Sequence, residues 1–348
     1  MTNFELTDKL KKNRRLEDHE YAQLLTTLAE KEAEYLYKSA AETAVSVYGK
    51  DVYIRGLIEI SNYCRNDCYY CGIRRSNRCA ERYRLTKEQI LECCRRGYEL
   101  GFRTFVLQGG EDGHFTDRLI CDIVSSIKRQ HPDCAVTLSL GEKTRASYQA
   151  YFDAGADRYL LRHETADPEH YAMLHPEELS CENRKRCLYD LKDIGYQVGC
   201  GIMVGSPFQT TEHIIEDLKF MKEFEPHMVG IGPFIPHKDT PFRDKPPGTL
   251  KDTLHLLAII RLMLPNVLLP ATTALGTIDL LGREKGIAAG ANVIMPNLSP
   301  MEAKKKYILY NGKISTGDEA AEAVQNLKKR VSDIGYRVIQ ARGDHISV

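Results

Sequence analysis

Apolar residues near the start of the chain, among them Leu16, Tyr21, Leu24, Leu25, Leu28 and Tyr35, recur at three- and four-residue intervals. That spacing puts one apolar stripe on a helix, so residues 5–48 are predicted as a helical lead-in. From Val52 the pattern changes to short apolar runs separated by amphipathic stretches. The runs cover 52–60, 104–108, 135–140, 158–161, 197–204, 228–232, 267–270 and 292–295, and helix-like segments fall at 86–101, 115–130, 144–154, 180–194, 210–224, 249–264 and 278–289. Eight strands alternating with helices over ~245 residues predict an α/β fold, a closed parallel (β/α)8 barrel with its chemistry at the C-terminal strand ends. A doubly wound open sheet gives the same periodicity, because its strands are also buried on both faces. The expected division is a helical extension over 1–50, the barrel over 51–298 and a more polar cap over 299–348 carrying one helix, Asp318 to Ser332.

Composition narrows the function classes. Lysine and arginine number 48 and balance 48 aspartates and glutamates, so no whole-chain field draws the protein to nucleic acid or an anionic membrane. The first twenty residues contain no apolar block of signal-peptide or membrane-span length, and the expected location is the cytoplasm. In that reducing compartment the eleven cysteines are expected as free thiols for metal binding or catalysis, not as a disulfide framework.

Three of them stand out by spacing. Cys64, Cys68 and Cys71 lie in Ser61-Asn-Tyr-Cys-Arg-Asn-Asp-Cys-Tyr-Tyr-Cys-Gly72, directly after the first strand. Three thiolates in so short a loop can hold three corners of an iron-sulfur cube and leave the fourth iron open. A structural zinc wants four closed ligands, and only Cys79 lies near enough in sequence to offer a fourth.

With Tyr70 just before its last cysteine, the triplet resembles the CxxxCxxC signature of the radical S-adenosylmethionine (SAM) superfamily. The resemblance implies one 4Fe-4S cluster whose open iron chelates SAM, and reduction by an electron donor to give methionine and a 5′-deoxyadenosyl radical. It also implies a SAM site at the next strand ends. Gln108, Gly109, Gly110 and Glu111 resemble the GGE turn, with Ser139 and Glu142 at the third strand end. Glu164 at the fourth would accept from ribose or ammonium, Arg184 would clamp the SAM carboxylate with its planar fork, and Met203 would pack on adenine. Taken singly, the glycines fit an ordinary turn, the charges a surface helix and the methionine a core.

Six strand-end segments in fixed order sharpen the resemblance: Gln-Gly-Gly-Glu-Asp, Thr-Leu-Ser-Leu-Gly-Glu, Arg-Tyr-Leu-Leu-Arg-His-Glu-Thr, Gly-Ile-Gly-Pro-Phe-Ile-Pro-His, Pro-Ala-Thr-Thr-Ala and Gly-Ala-Asn-Val-Ile-Met-Pro-Asn. Together, from about residue 50 to 313, they look like the HydE family of FeFe-hydrogenase maturases. That resemblance implies a cysteine-bound iron carbonyl cyanide substrate made by the maturase HydG, radical attack on its sulfur, and a maturation pathway that includes HydF. The residues themselves offer a rationale for an anionic substrate. Arg55, Arg158, Arg162, Thr137, Thr272 and Thr273 could all point into the barrel as donors, where branched apolar side chains are usual. Tyr307 and Tyr310 would close the cavity. The opposite reading turns half of these outward into weak surface pairs.

One departure from some family members is the absence of a further cysteine set near the C-terminus, since the last cysteine is Cys200. One cluster is therefore expected, and Cys79, Cys93, Cys94, Cys121, Cys134, Cys181, Cys187 and Cys200 are read as plain thiols. His163 and His237 lie in the family-like segments and are assigned no catalytic role. Rival readings are 3-methylornithine synthase, biotin synthase, which needs a second cluster, and a non-catalytic carrier of a metal fragment.

Overall fold

The computed structural model describes residues 1–313 and 320–346. The lead-in is three helices, Asn3–Asn13, Asp18–Thr26 and Glu30–Tyr48. The first break has a local cause: Arg14 ends its helix in the left-handed conformation, and the Glu17–Glu20 capping box starts the next. The third helix packs along helix Leu250–Met263 on the barrel's outside, where Leu36 and Ala40 are buried.

Eight parallel staves then follow, one at each predicted run. They are Asp51–Ile54 continued by Gly56–Ser61, then Thr104–Gly109, Ala135–Ser139, Arg158–Leu160, Gln197–Cys200 continued by Met203–Val204, Met228–Val229 continued by Gly232–Pro233, residues 268–270, and Val293–Ile294. Each of the first five pairs with the next. The ring closes because Met228 bridges Leu268, Pro270 bridges Val293, and Tyr53 and Ile54 pair with Val293 and Ile294. Closure excludes the open-sheet alternative. The fifth stave is interrupted at Gly201, whose φ is 155° and where a Cβ would lie 2.0 Å from the Gly230 carbonyl oxygen.

Side chains alternate across the barrel wall. Phe105, Leu107, Val136, Leu138, Tyr159, Leu161 and Val198 face outward into the main core beneath the helices, each contributing ~1.5–3 kcal/mol on burial. A smaller cluster of Tyr48, Leu160, Met228, Leu268 and Val293 lines the lower interior.

The tail has two destinations, not one. Residues 299–313 cross the C-terminal mouth: the Ser299 hydroxyl accepts from the Glu59 amide, Leu309 O accepts from Gly72 N, and Asn311 N donates to Pro236 O. Helix Ala320–Asp333 covers the outside; residues 318 and 319 of the predicted helix lie outside the described residues. The chain then returns to the opposite end, where Arg337–Ile339 pairs with Asp51–Tyr53, an element that no alternation in this polar segment announced.

This return corrects two expectations. Arg55 and Arg158, read as donors for a substrate anion, sit at the barrel floor and bind the chain's own C-terminal segment. Arg158 donates to Gln197 Oε1, Thr104 Oγ1, the Arg342 carbonyl and Asp344, so its donors are taken. Arg55 donates to the Gly343 carbonyl and lies against the Met228 sulfur, with its buried Nε lacking an acceptor. Arg158 opens its stave and Arg55 lies between the two halves of the first, both turned to the end opposite the catalytic face of such a barrel.

Asp344→Ala tests the plug. Removing one partner of a buried pair costs ~3–5 kcal/mol, and because Asp344 is 39% exposed, solvent screening reduces the expected loss to ~1–3 kcal/mol, read from denaturant unfolding at neutral pH. Burial raises the Asp344 carboxyl, but Arg342 and Arg158 outweigh it and hold it at about 2. A folded value below the ordinary ~3.9 adds stability that is complete above that pH and lost as pH falls through about 2. The gap between wild type and variant should close over the same window.

Candidate active site at the barrel mouth

The first stave ends at Ser61 and releases the cysteine loop, which is folded by its own polar groups. Arg82 is the staple: its guanidinium donates to the carbonyls of Asn62, Ile73, Arg74 and Asn77. Asn62 ties the loop to the mouth segment through Glu81 O and Lys306 O, and accepts from Tyr83 N. Asp67 receives Arg74 and Ser76, which holds its carboxyl below the usual range and closes the turn around Cys68 and Cys71. Spacing alone could not find Arg82, because its role is visible only once the carbonyls it gathers are brought together.

The three thiols are half-buried, with the Arg82 and Arg184 guanidinium charges near enough to favour their ionisation slightly. Burial pushes all three upward, Cys71 to about 12, with the charge of the neighbouring thiols adding at Cys68 and Cys71. A coordinating metal reverses that preference by deprotonating the thiol outright. Among the described residues no three His, Cys, Asp or Glu side chains converge on a single-ion site. The donor set therefore fits a cluster that brings its own sulfide, with its corners on separate thiols. Backbone clearance fits as well: a Cβ on Gly110 would lie 2.2 Å from Tyr63 O and 2.8 Å from Cys64 Cβ, and one on Gly72 would lie 2.2 Å from Ile308 O.

The predicted SAM residues gather on this face. Gln108, Gly109 and Gly110 end the second stave, with Gln108 Nε2 donating to Tyr307 Oη at 3.3 Å. Glu111 is buried, and both carboxylate oxygens already have protein donors, Glu142 N at 2.9 Å and Arg65 Nε at 2.9 Å. Those two contacts fix the turn. Gly141, at φ 74°, makes room for it: the carboxylate lies 2.2 Å from where a Cβ would stand. Ser139 pairs in register with Gln108. Arg184 is buried against Glu142 Oε1 and donates to the Arg162 carbonyl at 2.7 Å, so a helical charge that could have faced water faces the site. Burial works against its charge, but Tyr171 and Glu142 outweigh it and raise it further.

Tyr70 donates to His175 Nε2 at 3.1 Å, while His175 Nδ1 donates to Tyr171 O at 2.9 Å. Burial, with Arg184 adding, lowers His175 to about 3, so it stays neutral and that tautomer is the consistent one. His175 follows helix Pro168–Leu174, an element the periodicity did not predict. Met203 packs with Leu174, Phe234 and Phe242 beside Tyr69 and Tyr70, an apolar wall next to the cysteine loop. Glu164 stands at φ 67° with its Oε2 buried and lacking a hydrogen bond, 3.4 Å from Arg162.

Deeper, Thr137 Oγ1, Thr272 Oγ1 and the Nε atoms of Arg162 and Arg283 are buried without acceptors. Arg283 was not anticipated; it donates to Thr273 Oγ1 at 3.3 Å. Tyr307 is buried beneath the Lys313 ammonium, which pairs with Glu59. Tyr310 lies near enough to Arg283 to feel its charge.

Cys68→Ala should lose iron, sulfide and brown colour, while Cys187→Ala, a buried thiol outside the loop, should keep all three at a cost of ~1 kcal/mol in stability. Arg82→Met, which releases four loop carbonyls, should purify with most of its iron missing and regain it poorly on reconstitution. Iron and sulfide analysis checks all three, and a full complement in Cys68→Ala would refute the ligand set.

Comparison with known proteins bears on the same residues. The radical SAM superfamily model matches residues 58–267. The FeFe-hydrogenase maturase subunit HydE of Thermotoga maritima is 46% identical over 304 residues, spanning 87% of this chain and 86% of that protein. The 3-methylornithine synthase of Methanosarcina acetivorans is 30% identical over 308 residues, with coverage of 86% and 85%. Among solved structures, the methylornithine synthase PylB superposes with a TM-score of 0.81 at 26% identity, covering 96% of this chain and 97% of that one. The maturase HydG does so with 0.80 at 22% identity, covering 97% and 76%, a likeness of fold alone. Superfamily members hold a 4Fe-4S cluster and cleave SAM, the chemistry for which this thiol triplet and its cradle are shaped. The chain belongs to the radical SAM superfamily, and within it to the family of the FeFe-hydrogenase maturase HydE.

Proposed function

We propose that this enzyme works in FeFe-hydrogenase maturation, directing a 5′-deoxyadenosyl radical at the sulfur of a cysteine-bound iron carbonyl cyanide fragment. The observation that carries the reading is four of the buried donors without protein acceptors, those toward the mouth: Thr137 Oγ1, Thr272 Oγ1, Arg162 Nε and Arg283 Nε, with Arg55 Nε at the floor as another. Each costs ~1–3 kcal/mol when left unpaired, so an interior that keeps all four suits a ligand rich in acceptors. Cyanide nitrogens and a cysteinyl carboxylate are such acceptors. Lysine brings one carboxylate but no further acceptor and adds a side-chain ammonium, while Glu59 in the mouth is already neutralised by Lys313. The higher identity to HydE than to 3-methylornithine synthase supports the same ranking.

When bound on Cys64, Cys68 and Cys71, the cluster supplies the electron that cleaves SAM to methionine and the adenosyl radical. The chain's own residues orient and shield. Arg184, held by Glu142, keeps Nη2 for the SAM carboxylate. Glu164 accepts from ribose or ammonium, the turn at Gln108, Gly109 and Gly110 lets the backbone approach, and Ser139, Tyr70 and Met203 border the nucleoside. Arg162, Thr137, Thr272 and Thr273 hold the anionic substrate, with Tyr307 closing the cavity and the Leu174, Phe234 and Phe242 wall excluding water. HydG as supplier of the fragment, HydF as a later partner and a separate electron donor complete the reading.

Reduced, reconstituted enzyme should consume SAM and couple it to product with a cysteinyl iron carbonyl cyanide compound but not with lysine; productive turnover of lysine would replace this reading with the rearranging one. Thr137→Val and Thr272→Val each delete one donor at constant shape. Each should raise the KM for the organometallic substrate by ~5–10-fold and leave substrate-free SAM cleavage nearly unchanged.

A further inference from the structure

The mechanism above leaves one buried ionisable pair unused. His163 and Asp217 are both 0% exposed, with His163 Nε2 3.4 Å from Asp217 Oδ1. No lysine or arginine joins Asp217 in an ion pair among the described residues, and its Oδ2 makes no hydrogen bond. A buried carboxylate so lightly compensated is costly, which makes a structural role alone a poor account of it.

Its neighbours indicate what it does. His163 immediately precedes Glu164, a non-glycine residue in the left-handed region at φ 67°. That conformation is unfavourable for glutamate and persists only where the surroundings impose it. Two contacts impose it here. Glu164 N donates to Gly201 O at 3.0 Å, and Gly201 N donates back to His163 Nδ1 at 3.3 Å. On the other side, Ala166 N donates to Asp217 Oδ1 at 2.5 Å. Residues 163–166 are thus fastened at both ends, once to the break in the fifth stave and once to helix Thr211–Phe224, which carries Asp217. Phe220 of that helix lies edge-on to the His163 ring at 4.8 Å. Because Nδ1 accepts from an amide, the ring proton is on Nε2, which faces Asp217 Oδ1 at 3.4 Å outside hydrogen-bond geometry. The result is two anchors, His163 on Gly201 and Asp217 on Ala166, with Glu164 between them and its Oε2 3.4 Å from Arg162 without a hydrogen bond.

We propose that His163 and Asp217 are positioning residues that hold Glu164 in the conformation in which its carboxylate meets SAM. The inference rests on the reading of Glu164 as a SAM contact, and the test separates the two. Four variants are compared as reconstituted holoenzyme: Glu164→Gln, Asp217→Leu, which fills the space but offers Ala166 no acceptor, His163→Asn, whose Oδ1 can stand in for Nδ1 toward Gly201, and His163→Gln, which offers Gly201 no acceptor. SAM affinity is read from the perturbation of the reduced cluster's electron paramagnetic resonance signal, beside kcat and KM for SAM cleavage, with iron content and melting temperature as controls. His163→Gln and Asp217→Leu should weaken SAM binding by ~10-fold or more, the scale of one charge-assisted hydrogen bond, and raise KM with kcat at saturating SAM nearly unchanged. His163→Asn should recover most of the affinity. A defect in Glu164→Gln alongside normal SAM affinity in both His163→Gln and Asp217→Leu would overturn the positioning role. Normal affinity in Glu164→Gln would overturn the reading beneath it, and the proposal with it. If His163→Gln does not fold, Asp217→Leu and the recovery in His163→Asn decide the matter.

Discussion

Three thiols withdrawn from water within one short loop set the terms for the whole barrel mouth. Burial opposes their ionisation, and each neighbouring thiolate opposes it further, so a positive charge has to enter before they can act as ligands. Iron provides it. The loop therefore has to be shaped without help from the thiols, and Arg82 does this by gathering four carbonyls around one guanidinium. The glycines at 72 and 110 follow from the same constraint, since a side chain at either would strike the backbone that must close around the cysteines.

The two ends of the barrel use the same residue type for opposite ends. At the floor, Arg158 is saturated by Gln197, Thr104, Arg342 and Asp344, and seals the interior with the chain's own C-terminal segment. Toward the mouth, Arg162 and Arg283 keep Nε atoms without acceptors, as Arg55 does at the floor. An arginine whose donors are occupied stabilises the fold, whereas one left short of acceptors carries a cost that a bound anion would offset.

Much of this was legible in sequence. All eight staves fall on the apolar runs because buried parallel strands leave continuous runs between amphipathic helices. The cysteine triplet declared its chemistry by spacing, and Glu164, Arg184 and Gln108 stand at the stave ends or helix where the motifs put them. What was not legible depends on contacts distant in sequence. Whether Arg158 met a substrate or Asp344 turned on where a polar tail of weak periodicity would go. The hydrogen bond from Tyr70 to His175 and the Lys313 pair with Glu59 likewise join segments that no local pattern connects. Glu111 shows the same limit: it follows the second stave as the motif put it, but its contacts with Arg65 and the Glu142 amide were not legible.

The central claim is that the cube held by Cys64, Cys68 and Cys71 leaves one iron for SAM. Electron-nuclear double resonance on the reduced, anaerobically prepared enzyme with SAM labelled at its amino nitrogen and carboxylate oxygens addresses it directly. Hyperfine coupling of both labels to the cluster spin is the predicted result. Uncoupled labels on a cluster at full occupancy, or zinc in place of iron and sulfide, would contradict it.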